Sequence, residues 1–161
     1  MSDRLVVNAS PVILLAKVNG LEWMSQLSAG PLIVPQAVLL EVEAGPEGRE
    51  VVGRLQKLSV EVAADIPLPG VISAWDLGRG ESQVLAACLG QVGRRAILDD
   101  RLARHCARAL QVPIIGTMGI VVVARRRGWL PAARPVIARL QAIGMFIAPS
   151  LVEAILAEVG E

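Results

Sequence analysis

Arg95-Ala96-Ile97-Leu98-Asp99-Asp100-Arg101-Leu102-Ala103-Arg104 decides how this chain is read: an apolar run ends in two adjacent carboxylates and passes at once into helical spacing. Residues 95–98 have the composition of a strand buried on both faces of a parallel sheet. From Asp100 to Leu110 the pattern is helical, with Asp100 in the position of an N-cap. A strand that ends in two acids puts negative charge at the carboxyl edge of a sheet, where open α/β folds bind ligands. Asp99 and Asp100 are therefore candidate metal ligands. The acids of comparable placement are Glu41 and Glu81, each at the edge of a helical pattern, while the strand end where a further acid is expected carries Asn8.

Working outward, residues 4–8 read as a strand, and Ser10-Pro11 starts a helix over 11–18, with Ser as its cap and Pro in its first turn. Leu21–Leu27 is a second short helix and 32–34 a strand. Gln36–Ala44 is helical up to the breaker Gly45-Pro46, and Glu47 leads a further helix through Leu58. Val60–Ala63 reads as strand and 67–70 as loop. Gly78-Arg79-Gly80-Glu81 leads into a helix over 82–92. On the other side, 113–115 is a short strand, Gly116-Thr117 turns the chain into a helix over 118–127, and another covers 134–143. Ser150 with Glu153 reads as a capping box for the last helix. Strands that alternate with helices predict an α/β fold whose central parallel sheet is flanked by helices. With no linker, repeat or low-complexity stretch, residues 1–161 are expected to form a single domain.

Although 53% of the residues are apolar, no uninterrupted apolar run approaches the ~20 residues that cross a bilayer. Met1-Ser2-Asp3-Arg4 lacks the basic-then-apolar layout of a signal peptide. The expectation is a soluble, cytoplasmic protein with no membrane association. Cys88 and Cys106 are isolated in helical patterns and read as small buried residues, and His105 is the sole histidine. The net charge of +1 hides an uneven distribution: residues 79–139 hold eleven Arg against three acids, a net +8. Compositional bias explains Arg over Lys, since the chain has 14 Arg and 2 Lys, but it does not explain the clustering. Arg is suited to bidentate phosphate contacts. Arg101, Arg104 and Arg108 fit either a solvated helix face or a phosphate-contacting one. With no Tyr, one Phe and three Trp, a platform stacking many bases is not expected, so contacts to a nucleic-acid backbone would dominate.

Several phosphate chemistries are excluded by the residues themselves. Gly78-Arg79-Gly80 has Gln83 where a dinucleotide fingerprint needs its third glycine, and no Gly-rich loop ends in Lys-Ser or Lys-Thr. A phosphoaspartyl nucleophile would stand where Asn8 does, and an amide cannot serve. A receiver-like site needs a Lys from a late strand, and none follows Lys57. What survives is a carboxylate cluster drawn from separated segments. Such a cluster suits a hard cation such as Mg²⁺ or Mn²⁺ and phosphodiester hydrolysis.

In their order and spacing, Val6-Val7-Asn8-Ala9-Ser10-Pro11, Val34-Pro35 through Val38 to Glu41-Val42, Gly78-Arg79-Gly80-Glu81-Ser82, Ile97-Leu98-Asp99-Asp100 and Gly116-Thr117 resemble the PIN-domain family, in particular its VapC-like toxin ribonucleases. The resemblance spans nearly the whole chain and implies a PIN-like three-layer α/β fold. It implies a metal-dependent endoribonuclease, the toxin of a toxin–antitoxin pair, with Mg²⁺ or Mn²⁺ as cofactor. RNA, a cognate antitoxin and a second copy in a homodimer are the implied partners. The family's metal-binding roles fall on Asn8, Glu41, Glu81 and Asp99 or Asp100, with Ser10 close behind Asn8. Arg79, Arg101, Arg104 and Thr117 are the candidate nucleic-acid contacts. Asn8 departs from the pattern: its oxygen can coordinate a hard cation, but without formal charge. The alternative is thus a PIN-fold module that binds nucleic acid or protein with weak or no catalysis. Simpler local roles stand beside these, with Ser10, Asp100 and Thr117 as helix caps and Glu81 as a favourable first-turn acid.

Overall fold

The computed structural model describes residues 2–161 and arranges their short apolar runs as an all-parallel sheet of five strands. These are β1 (Arg4–Val7), β2 (Leu32–Pro35), β3 (Val60–Ala63), β4 (Arg94–Ile97) and β5 (Ile114–Ile115), in the order β3-β2-β1-β4-β5. Leu5, Val6, Val7, Leu32, Ile33, Val34, Ala96 and Ile97 are buried, as expected of strands covered on both faces. The helices between them are α1 (Ala9–Lys17), α2 (Leu21–Leu27), α3 (Gln36–Ala44), α4 (Gly48–Gln56), α5 (Gly70–Ser73), α6 (Arg79–Cys88) and α7 (Arg101–Ala109). The result is the expected three-layer α/β fold. By its contacts the chain divides into two compact units, Met1–Gly116 and Thr117–Glu161. The second holds α8 (Thr117–Arg126), α9 (Ala133–Ala142) and α10 (Pro149–Glu158). In it the Glu161 carboxylate accepts the N–H groups of Ala133 at 2.7 Å and Arg134 at 3.0 Å, capping α9, and also Arg125 Nε at 2.9 Å.

Strand order fixes where the first unit can bind a ligand. From β1 the chain winds outward through β2 to β3, then returns to the other side of β1 with β4 and β5, so winding reverses between β1 and β4. Val7 pairs with Ile97 across that boundary, and Asn8 and Asp99 follow at the carboxyl ends of the two strands. The crevice outside such a reversal is the usual ligand site of an open α/β sheet.

Four local expectations are corrected by the structure. The first helix begins at Ala9, not Pro11: Asn8 occupies the N-cap position with no side-chain cap bond, and Ser10 lies exposed in the first turn. Gly80 lies within α6, which starts at Arg79 rather than at residue 82. Pro149 opens α10 with Ala148 at its N-cap, so Ser150 forms no cap there. Finally, Gly70–Ser73 forms a one-turn helix anchored by the fully buried Ile72, beginning at the last residue of the loop expected over 67–70 and continuing where no element was assigned. Among the described residues, no helix is long and apolar enough to cross a membrane.

Candidate metal and nucleic-acid site

Three elements bring Asn8, Glu41 and Glu81 together. Asn8 ends β1, Glu41 lies on α3, and Glu81 is in the first turn of α6, which packs across β2, β1 and β4 and against α3. The Asn8 side chain is 2% exposed. Its Nδ2 donates to Glu81 Oε1 at 3.3 Å. Its Oδ1 is buried and has no hydrogen-bond partner, although a buried carbonyl oxygen left unpaired costs about 1–3 kcal/mol.

Gly80 defines the space that this oxygen faces. A Cβ built there would stand 2.7 Å from Glu41 Oε2, 3.1 Å from Asn8 Oδ1 and 3.5 Å from Val38 Cγ2. The absent side chain lets α3 approach α6 at Val38, one turn before Glu41, and leaves a small gap bordered by two oxygens from different elements. Partial desolvation of its carboxylate, together with the negative charge of Glu81, raises Glu41 above the ordinary carboxylate pKa.

A second group forms where β4 ends. Arg104, one turn into α7, reaches back so that Nη1 donates to the Leu98 carbonyl at 2.9 Å. A Cβ on Gly116 would lie 2.8 Å from that nitrogen and 3.1 Å from Asp99 Oδ1, so guanidinium and carboxylate meet over this glycine. Arg104 therefore braces the strand end that carries Asp99. Asp100 caps α7, its Oδ2 accepting the Ala103 N–H at 2.9 Å. Thus the structure brings Asn8, Glu41 and Glu81 into one group, and Asp99 with Arg104 into another at the neighbouring strand end. Among the described residues, no group of three or more His, Cys, Asp or Glu is gathered to hold a metal. With an amide at position 8, the first group contains two carboxylates.

Of the remaining candidates, Arg79 is exposed and paired with Asp65 at 2.8 Å, Arg101 is exposed at the start of α7, and Thr117 is the buried first residue of α8. Sequence reading missed two supporting residues. Asp65 accepts the Ala37 N–H at 3.0 Å as well as Arg79, tying α3 to α6. Gln83 exchanges two hydrogen bonds with the backbone of Ile66, at 3.0 and 2.9 Å, and fixes the segment after β3 onto α6. The available signal for Gln83 was an amide beside the apolar stripe of α6.

A family model described as a PIN domain matches residues 4–161. The chain belongs to the PIN-domain family. Among curated proteins, none matches it. PIN domains are nuclease-type domains, generally dependent on divalent metal, that act on RNA or DNA. The oxygens around Gly80 suit such a cation: all are hard donors, and one is a buried acceptor lacking a donor.

Proposed function

We propose that this PIN protein is a metal-dependent endoribonuclease that hydrolyses RNA phosphodiester bonds. The observation that carries the reading is the orphaned Oδ1 of Asn8, which borders the gap over Gly80 together with Glu41 Oε2 while the amide nitrogen is held by Glu81. Asn8, Glu41 and Glu81 would hold Mg²⁺ or Mn²⁺, with Asp99 at the adjoining strand end; Asp100 keeps its role as a cap. When bound, the cation supplies water of lowered pKa and offsets charge on the leaving oxygen. The chain's own groups do the positioning. The Asn8 amide fixes Glu81, Arg104 steadies the end of β4, and the exposed guanidinium of Arg101 is available to a phosphate.

The finer assignment is a cytoplasmic toxin of a toxin–antitoxin pair, acting as a homodimer held in check by a cognate antitoxin. Its support is the resemblance to VapC-like ribonucleases. The unbroken family match over 4–161 supports reading both compact units as one PIN-like domain. Growth arrest on expression, absent in a Glu81→Gln variant, tests the toxin role.

The two-carboxylate composition of the group around Gly80 favours a second reading, a PIN module that binds nucleic acid with little or no hydrolysis. Incubating purified protein with single-stranded and structured RNA, in Mn²⁺ or in EDTA, separates the two. Mn²⁺-dependent cleavage lost in Glu81→Gln supports the nuclease. RNA binding without cleavage, weakening as salt rises, supports the module. Cleavage that survives EDTA refutes the metal mechanism.

A further inference from the structure

Beside the first turn of α7 lies an open hollow of about 480 Å³ lined by Trp75, Asp100, Arg101, Leu102 and His105. Its position follows from local structure. Buried Ile72 anchors the single turn of α5, the Trp75 N–H donates to the Ile72 carbonyl at 3.0 Å, and Asp76, with φ of 52°, turns the chain toward Gly78 and the start of α6. Glu81 follows within the first turn of α6, and α6 packs against α7. Asp100 in the lining places the hollow beyond the carboxyl end of β4, where Asp99 also stands.

Its lining combines two chemistries. Trp75 and the half-exposed Leu102 supply apolar surface, while the exposed Arg101 and His105 supply N–H donors. The Asp100 carboxylate is occupied by the Ala103 N–H. Residues 94–108 of the same compact unit hold five Arg against two Asp, a net +3. A flat, partly apolar ligand on an anionic backbone fits this lining, and a wholly apolar or cationic protein segment fits it less well.

We propose that this hollow is a base subsite, which takes one unpaired nucleobase of a single-stranded RNA against Trp75 and Leu102, with Arg101 on an adjoining phosphate. The proposal rests on the nuclease reading and adds that the strand must be unpaired at that nucleotide, since a base within a duplex has its faces already stacked. The volume lies within the range of small-ligand pockets, ~300–1,000 Å³.

The test is the affinity of the purified protein, in EDTA so that nothing is cleaved, for a labelled single-stranded oligouridylate and for the same strand with an abasic nucleotide at each position in turn. The expected result for the wild type is a loss of about 5- to 100-fold at one position. Trp75→Phe should keep most of that discrimination, and Trp75→Ala should bind all the strands alike. Should Trp75→Ala fail to fold, Leu102→Ser at an exposed position should reduce the same discrimination. Equal wild-type affinity for every strand overturns the proposal, as does position-dependent loss that persists in Trp75→Ala. A changed sedimentation coefficient for Trp75→Ala with unchanged RNA affinity assigns the hollow to a protein partner and overturns it as well. Cleavage in Mn²⁺, read separately, distinguishes the two readings: cleavage without base discrimination sinks the subsite alone, and discrimination without cleavage sinks the hydrolase alone.

Discussion

Gly80→Ala puts a single methyl group into the gap between Asn8 and Glu41, and its consequences can be worked from the geometry. The new carbon would stand 2.7 Å from Glu41 Oε2 and 3.1 Å from Asn8 Oδ1. Ordinary contact begins at 3.4 Å, so Glu41 must withdraw by about 0.7 Å. It can do so, because Glu41 is exposed and its carboxylate ends a flexible side chain. Asn8 is buried and held by Glu81, but its 3.1 Å contact asks it to give by only a few tenths of an ångström. The fold should tolerate the change: Val38 Cγ2 at 3.5 Å is an ordinary contact, and alanine is favoured over glycine within a helix by up to ~1 kcal/mol. Stability should therefore move by no more than about 1 kcal/mol, or a few degrees in Tm. Cation affinity should fall much further, because one donor is moved and the space beside another is filled. Disturbing such support typically costs about 10- to 100-fold. The assay is Mn²⁺ titration calorimetry beside a thermal melt in EDTA. Unchanged Mn²⁺ affinity with an unchanged melt would refute the idea that Glu41 and Asn8 share a cation. A collapse of the melt would instead make Gly80 a packing residue between α3 and α6.

Asn8→Asp should lower stability in EDTA by about 1–3 kcal/mol, because the buried donor to Glu81 is lost and a like charge replaces it; in the same variant Mn²⁺ should bind about tenfold or more tightly by calorimetry, as a charged oxygen is added. Glu41 has a raised pKa in the folded protein, so the fold binds its proton more tightly than the unfolded chain does, and the Glu41 contribution to stability falls as pH rises from 4.5 through the folded value; Glu41→Gln should remove that part of the slope in urea melts run without metal. Glu161 is the opposite case, held down to about 2 first by the Ala133 and Arg134 N–H groups and then by Arg125. Its contribution is complete above 4.5 and lost as pH falls toward 2, so the protection of α9 amides against exchange, taken relative to the intrinsic rate at each pH, should fall over that interval in the wild type and be low throughout in Glu161→Gln.

The sheet was legible because its central strands β1 and β2 are short, doubly buried apolar runs, and no alternative period competes within Leu5-Val6-Val7 or Ala96-Ile97-Leu98. Legibility failed where a residue answers to a neighbour distant in sequence. Ser10 has the chemistry of a cap, yet the helix begins before it, and the residue in the cap position turns its amide to Glu81 instead. Gly78 and Gly80 read as the lead-in to a helix over 82–92, yet Gly80 lies inside α6, at a point where a side chain would occupy the space between Asn8 and Glu41. The spacing of Arg101, Arg104 and Arg108 fits a solvated face or a phosphate-contacting one, and it gives no sign that Arg104 Nη1 donates back to the carbonyl of Leu98. The four residues of α5 are too few to show a period, and with them went the placement of Trp75. In each case the deciding partner comes from another element, which one-dimensional periodicity does not report.

Asn8 is where these arguments meet. An amide set between two carboxylates can offer its donor end to only one of them. Nδ2 serves Glu81, so Oδ1 is left to border the same gap as Glu41 Oε2, acceptor beside acceptor. Two acceptors that border one gap are satisfied when a hydrogen-bond donor or a cation stands between them. Glu41 already holds its proton more tightly than usual, which provides the first arrangement in acid. At neutral pH a divalent cation would provide the second under the proposed reading, and Mn²⁺ should then lower the apparent pKa of Glu41 as it binds. Replacing Asp by Asn at the end of β1 thus weakens attraction for the cation without removing the reason for one. The neutral side chain spares the metal-free protein a third negative charge, and its buried oxygen is a hard donor of the kind that Mn²⁺ or Mg²⁺ prefers.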